Sequence, residues 1–277
     1  MLSVSSLSGY MYCPRKFYLS EVLKIFEAPK DVLVKGTIRH QVYDHINKNE
    51  ESFIKAIKKD VNFGILVGNY KTAYSKILRN IIISNKGMIK QVNLSMEKIF
   101  RESWPLILAE SEQRALNISS FIKKHNVFGE ELWQMLTPKI MSEFRVESKT
   151  LMLKGIVDKV EDYADELVPY ELKTGKCPNE GVWPGHKVQI GSYMLLLRES
   201  SKKSVKEGFI KYLGNNQLRQ VTMNPFLEDE ILKLRDEAFE VINSRTAPDF
   251  CENRNKCVKC GLREQCFSIN ALQKPKI

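Results

Sequence analysis

No run of apolar residues in this chain approaches the roughly 18–20 that a membrane-spanning helix needs, so no membrane partner is expected. The first twenty residues, MLSVSSLSGYMYCPRKFYLS, lack the basic stretch followed by an apolar block that marks a secretory signal. The expected location is therefore the cytoplasm. Cysteine is sparse, six in 277 residues, and in that compartment six thiols argue for metal or redox use rather than disulfides. Internal repeats and low-complexity linkers are also lacking, which leaves one large domain or two modest ones. What is present is an ordinary core-forming composition, 43% hydrophobic and 27% charged. Lys and Arg number 43 against 33 Asp and Glu, a net charge of +10. A basic surplus favours an anionic partner, and nucleic acid is the commonest.

Along the chain, residues 3–27 read as helical with a serine cap, interrupted at CPRKF because Pro14 suits the first turn of a helix. Residues 32–48 read as a second helix. Residues 51–135 read as largely helical, with breaks at SNKG, SWP and HNVFG. Strand-like alternation begins near 138 with KIMSEFRVES, and two strands joined by an acidic turn around Tyr163–Glu166 follow. HKVQIGSYMLLLRES is an amphipathic helix, VKEGFIKYLG and QLRQVTMN a hairpin around Asn215 and Asn216, and PFLEDEILKLRDEAFEVINSR a helix capped by Asn224. The expected division is a helical region over 1–137, a core over 138–246 and a cysteine-dense lobe over 247–277.

Two constellations carry chemistry. In PYELKTGK, strand alternation puts Glu171 and Lys173 on one face and Tyr170 and Leu172 on the other. A solvated outer face explains an isolated E-x-K. Asp158, however, ends the preceding strand, and an antiparallel neighbour could bring it beside Glu171. Paired carboxylates share a proton or a cation, and hard oxygen donors suit Mg²⁺ or Mn²⁺. Lys173 could then touch a water or an anionic substrate. Gly155 permits close approach. Gln189 and Tyr193, four apart on the next helix, share a face. His40, in GTIRHQVYD, offers an imidazole, with His45 equivalent by chemistry alone. The second constellation is Cys257-x2-Cys260-x5-Cys266. Its fourth thiolate is either Cys251, a local quartet that suggests zinc, or the distant Cys13, and an iron–sulfur cluster is the other option. Cys177 is a bystander.

Asp158, the Glu-Leu-Lys at 171–173, the Gln-Ile-Gly-Ser-Tyr at 189–193 and the upstream GTIRH together resemble the RecB-type branch of the PD-(D/E)XK nucleases. Cys13 in CPRKFYL with the C-terminal C-x2-C-x5-C is similar to its iron–sulfur subgroup, and size and order most resemble the CRISPR-associated adaptation exonucleases. The resemblance spans residues 13 to 266. It implies an α/β fold with a restriction-endonuclease-like core, a small central mixed sheet flanked by helices, a helical insertion after His40 and a C-terminal iron–sulfur lobe. It implies His40, Asp158, Glu171 and the Leu172 carbonyl as ligands of Mg²⁺ or Mn²⁺, Lys173 as the catalytic lysine, and Gln189 and Tyr193 as supports of the site and the DNA. Cys13, Cys257, Cys260 and Cys266 would hold a cluster, 4Fe–4S in type. The implied activity is a DNA exonuclease working on single-stranded ends and trimming spacer precursors beside CRISPR integrase proteins. The alternatives are a repair or recombination nuclease of the same fold and a non-catalytic, zinc-stapled nucleic-acid-binding protein. Cys251 departs from the subgroup's pattern as an extra thiol.

Overall fold

The computed structural model describes residues 1–28, 30–59, 61–215 and 217–272, with side chains described as far as residue 268. Its strands form one mixed six-stranded sheet in the order β1-β3-β4-β5-β6, with β2 paired to β3. They are β1 (Leu2–Ser3), β2 (Lys139–Ser148), β3 (Leu153–Tyr163), β4 (Glu166–Lys173), β5 (Glu207–Tyr212) and β6 (Gln217–Thr222). Two compact units divide the chain, residues 1–28, 145–156 and 169–277 in one, 29–144 and 157–168 in the other. No described helix is long and apolar enough to cross a membrane.

In the first unit, β1 runs parallel to the start of β3, β4 runs parallel to β5 with Glu171 opposite Ile210, and β5 and β6 form the antiparallel hairpin. Asn216 in its turn lies outside the described residues. Helix α1 (Val4–Tyr12) is capped by the Ser3 side chain, which accepts from the Ser6 N–H. Cys13 takes an extended conformation, φ −162°, and Pro14 starts α2 (Pro14–Phe17). A π-helical turn over Tyr18–Val22 follows. The expected helix to residue 27 therefore stops short, because the chain is already non-helical beyond Leu23. Helix α8 (Pro184–Ser200) buries every residue from Val188 to Leu197, so it is a core helix rather than the amphipathic one its sequence suggested. Helix α9 (Pro225–Ser244), capped by Asn224, packs so closely on Gly191 that a Cβ there would lie 2.7 Å from the Ile231 side chain.

The second unit is mainly helical: α3 (Asp31–Lys55), α4 (Phe63–Ser84), α5 (Lys86–Gln91), α6 (Met96–His125) and α7 (Gly129–Met135). The breaks at SNKG and HNVFG occur where expected, the latter at Asn126, whose φ of 53° supplies the left-handed cap. The break expected at SWP does not occur, and Pro105 lies inside α6. A mid-helix proline costs about 3 kcal/mol. Burial of Ile99, Ile107, Ala115, Ile118 and Ile122 on either side of it, at about 1.5–3 kcal/mol for each large side chain, outweighs that cost. Near the centre, Arg114, 1% exposed, meets Glu110 at 2.7 Å and Ser142 Oγ at 3.0 Å. Its Nη1 is 3.0 Å from Glu50, close in distance but off the hydrogen-bond direction. The Tyr70 and Tyr74 hydroxyls donate to Glu50 as well.

Candidate functional site

In the second unit, α3 presents a stripe of buried residues at Val34, Ile38, Val42 and Ile46. His40 stands at the edge of that stripe, and its Nδ1 is 2.6 Å from Glu143 Oε1 on β2 and 3.3 Å from Asp158 Oδ1 on β3. Asp158 is only 3% exposed, and Arg39 Nη2 approaches its other oxygen at 4.0 Å. One ligand atom from each of His40, Glu143 and Asp158 lies within 4.8 Å of the others, and no other such trio of His, Cys, Asp or Glu exists among the described residues. The hydrogen bond to Glu143 raises the His40 pKa above its ordinary value, with the charge of Asp158 assisting against the opposing effect of burial. Burial raises the Glu143 carboxyl in turn, partly countered by His40. Two carboxylates and an imidazole are a hard, oxygen-rich donor set that fits Mg²⁺ or Mn²⁺.

Glu143 was not found by sequence reasoning, and the reason is its backbone. In β2, Arg145 and Glu147 are exposed while Val146 and Ser148 are buried. Regular alternation places Glu143 with the exposed set. Its φ is instead +52°, a left-handed conformation that costs a non-glycine residue about 1–3 kcal/mol. That local break in the strand turns the side chain inward, leaving it 10% exposed. His45, equivalent to His40 by chemistry, is exposed and lines a different cavity with Glu50 and Tyr70.

In the first unit, β4 and α8 bring together Glu171, Lys173, Gln189 and Tyr193. Lys173 Nζ is 2.9 Å from Glu171 Oε1 and donates to Gln189 Oε1 at 2.6 Å. Gln189 Nε2 donates to Glu171 Oε1 at 2.9 Å and reaches the Tyr193 hydroxyl at 3.3 Å. Gln189 thus uses both ends of its amide to fix the acid and the lysine. Glu171 is 6% exposed, which rules out a solvated outer face. The Tyr193 ring lies against Gly155, where a Cβ would be 2.6 Å from its Cε1. Leu172 pairs with Lys211 in the β4–β5 ladder.

Lys173 and Gln189 open on a cavity of about 880 Å³ walled by α1 and the start of α8, with the hydroxyls of Ser5, Ser6 and Ser8, the Lys16 and Lys256 side chains and His186 along its lining. His186 Nδ1 is 3.0 Å from the Tyr212 hydroxyl. Burial, with the nearby Lys173 charge, pushes its pKa down to about 4, so the imidazole is neutral at pH 7.

Also in the first unit, Cys13, Cys251, Cys257, Cys260 and Cys266 line a single small pocket. Helices α10 (Arg254–Val258) and α11 (Arg263–Leu272) carry Cys257 and Cys266, and Cys260 lies between them. The structure therefore gathers both candidate quartets, and Cys251 stands among them; Cys177 does not line this pocket. No three of these sulfurs lie within 4.8 Å of one another. Burial pushes the Cys13 thiol above its usual range, against the favourable Lys16 backbone N–H. Soft sulfur donors in an apolar pocket fit an iron–sulfur group, whose binding would displace the thiol protons.

A family model described as the PD-(D/E)XK nuclease superfamily matches residues 1–267. A CRISPR-associated exonuclease Cas4/endonuclease Cas1 fusion from Leptospira interrogans is 29% identical over 148 residues, 50% of this chain and 27% of the relative. The CRISPR-associated exonuclease Cas4 of Francisella tularensis subsp. novicida is 27% identical over 115 residues, 42% of this chain and 56% of the relative. The DNA replication ATP-dependent helicase/nuclease dna2 of Schizosaccharomyces pombe is 19% identical over 282 residues, 96% of this chain and 18% of the relative. Each match spans less than two thirds of the relative's own length.

Proposed function

The chain belongs to the PD-(D/E)XK nuclease superfamily, and from that premise we propose that it is a divalent-metal-dependent DNA exonuclease that trims single-stranded ends of spacer precursors in CRISPR adaptation. The observation that carries the reading is the hard-donor group of His40, Glu143 and Asp158. The sequence resemblance implies His40, Asp158, Glu171 and the Leu172 carbonyl as ligands, and within the second unit Glu143 joins His40 and Asp158 on its position. When bound, the ion supplies compensation for the negative charge of the scissile phosphate and a more acidic water.

The rest of the work falls to the chain's own side chains. Lys173, held by Glu171 and Gln189 at 2.9 and 2.6 Å, presents an ammonium in a fixed place. There it orients the attacking water and stabilises charge on the phosphate oxygens. Gln189 keeps acid and base in register, and Tyr193 backs it through their 3.3 Å contact. The serine hydroxyls and lysines of the cavity suit a phosphodiester strand, whose affinity comes from distributed cations.

For the cysteines, a tetrahedral zinc site with Zn–S of about 2.3 Å needs sulfurs about 3.8 Å apart. Cys251 is in side-chain contact with both Cys13 and Cys257, and the 4Fe–4S cluster on Cys13, Cys257, Cys260 and Cys266, preferred over the zinc-stapled, non-catalytic reading, is carried by the sequence resemblance to the iron–sulfur subgroup. The integrase proteins are proposed as partners because one relative is named as an exonuclease joined to the endonuclease Cas1. A second reading, a replication or repair nuclease, is favoured by the length of the dna2 match, 96% of this chain.

The test is incubation of anaerobically purified protein with end-labelled single- and double-stranded DNA in Mn²⁺, Mg²⁺ or chelator. Stepwise shortening of the single strand, abolished by chelator, is expected. Cutting in chelator, or none with either ion, overturns the reading. Pull-down of integrase proteins separates the adaptation role from repair.

A further inference from the structure

Arg15 is 4% exposed, unusual for a guanidinium, and its side chain makes four contacts in the cysteine lobe. Its Nε donates to Cys266 Sγ at 3.3 Å. Nη1 donates to the Pro248 carbonyl at 2.6 Å, and Nη2 approaches the Cys266 carbonyl at 3.5 Å. The guanidinium carbon lies 3.9 Å from the centre of the Phe250 ring. These contacts fix the plane of the fork so that one N–H aims at sulfur. Of the other cations lining the pocket, Arg263 lies 6.0 Å from the centre of the Phe267 ring, and two more are spoken for differently. Lys16 is ion-paired with Glu27 at 2.7 Å, and Lys256 donates to the Tyr12 carbonyl at 2.9 Å.

We infer that Arg15 is a positioning residue for the Cys266 sulfur that raises the reduction potential of the iron–sulfur group held there. The inference rests on the iron–sulfur reading of the cysteine lobe. Adding an electron makes a thiolate-bound cluster more negative. A buried positive charge with an N–H on a ligand sulfur stabilises that reduced form more than the oxidised one. Water cannot screen it, because the guanidinium is buried. Arginine is needed because a lysine carries the charge without the planar fork that aims it.

The experiment is a potentiometric titration of the anaerobically purified full chain, followed by its visible spectrum, with iron and sulfide analysis. Arg15→Gln is expected to shift the reduction equilibrium about tenfold against the reduced form, about 59 mV for one electron. Arg15→Lys is expected to fall part of the way, and Lys16→Gln to stay near the parent. If Arg15→Gln purifies without iron, Arg15→Lys decides alone. A colourless parent refutes the iron–sulfur reading. A brown parent whose potential survives both Arg15 substitutions refutes only the inference.

Discussion

Glu143→Gln separates metal binding from folding at the His40 group. The substitution keeps the shape and one acceptor oxygen but removes a charge. At an effective dielectric of about 20, unit charges 4.8 Å apart repel by about 3.5 kcal/mol, and the nearest carboxylate oxygens of Glu143 and Asp158 are no farther apart than that. Arg39, 4.0 Å from Asp158, relieves part of this, and the proton favoured on His40 relieves more. Without metal, the group is therefore near charge balance only while His40 is protonated. His40 has a raised pKa, so its contribution to stability is present at low pH and lost as pH rises through that value. Glu143, raised by burial, likewise disfavours folding as it ionises. A divalent ion reverses both trends, so Mn²⁺ affinity should climb with pH and binding should release protons. In Glu143→Gln the metal-free protein should be unchanged or up to about 2 kcal/mol more stable, since buried repulsion is removed. Mn²⁺ affinity should fall at least about 100-fold, the upper end of the loss seen for residues that only support a ligand. Proton release should shrink, because His40 has lost the acceptor that raises its pKa. Calorimetric Mn²⁺ titration in two buffers of different ionisation enthalpy, with urea unfolding of the metal-free protein, reads all three. Parent-like affinity, or a stability loss above about 2 kcal/mol, would refute the reasoning.

Lys173→Ala should slow single-strand cutting by orders of magnitude with Mn²⁺ binding kept, and Lys173→Arg should also fail, because a guanidinium is bulky and keeps its proton; full activity of the Arg variant in single-turnover cutting would mean that positive charge alone suffices. Arg114→Met leaves Glu50 and Glu110 buried without their cation and should cost about 3–5 kcal/mol in denaturant unfolding, while the triple variant Glu50→Gln, Glu110→Gln, Arg114→Met should recover much of it; a loss below about 1 kcal/mol in the single variant sinks this account. Cys13→Ser should lose iron and lower the melting temperature, while Cys251→Ser stays brown, as judged by iron analysis and visible spectra; the reverse pattern would assign the local quartet.

How much of this was legible in the sequence depends on whether a local rule and the tertiary structure agree. Glu171 and Lys173 share a face because strand periodicity is exactly two residues at every position of an unbroken strand, so their pairing at 2.9 Å follows from spacing. The helix ends at Asn85 and Asn126 were legible for the same reason. Pro105 misled because the breaking rule weighs one residue, whereas the helix is decided by the whole buried stripe. His40 and His45 could not be told apart, since both stand on α3, about 140° apart around its axis. What distinguishes them is the strand that meets each side, information that no helical window contains. Cys251 is the same problem in another form: spacing counts thiols along the chain, and the fold gathers four from the lobe and Cys13 from the N-terminal helices onto one pocket. Glu143 was least legible of all, because its place depends on the strand abandoning its own alternation at that residue. Natural chains tolerate such a breach where the misplaced side chain does something that a regular strand could not. The strained φ and the inward carboxylate thus belong to one argument: relaxing the backbone would return Glu143 to the exposed face with Arg145 and Glu147, and His40 and Asp158 would then face each other with one fewer oxygen between them to hold a cation.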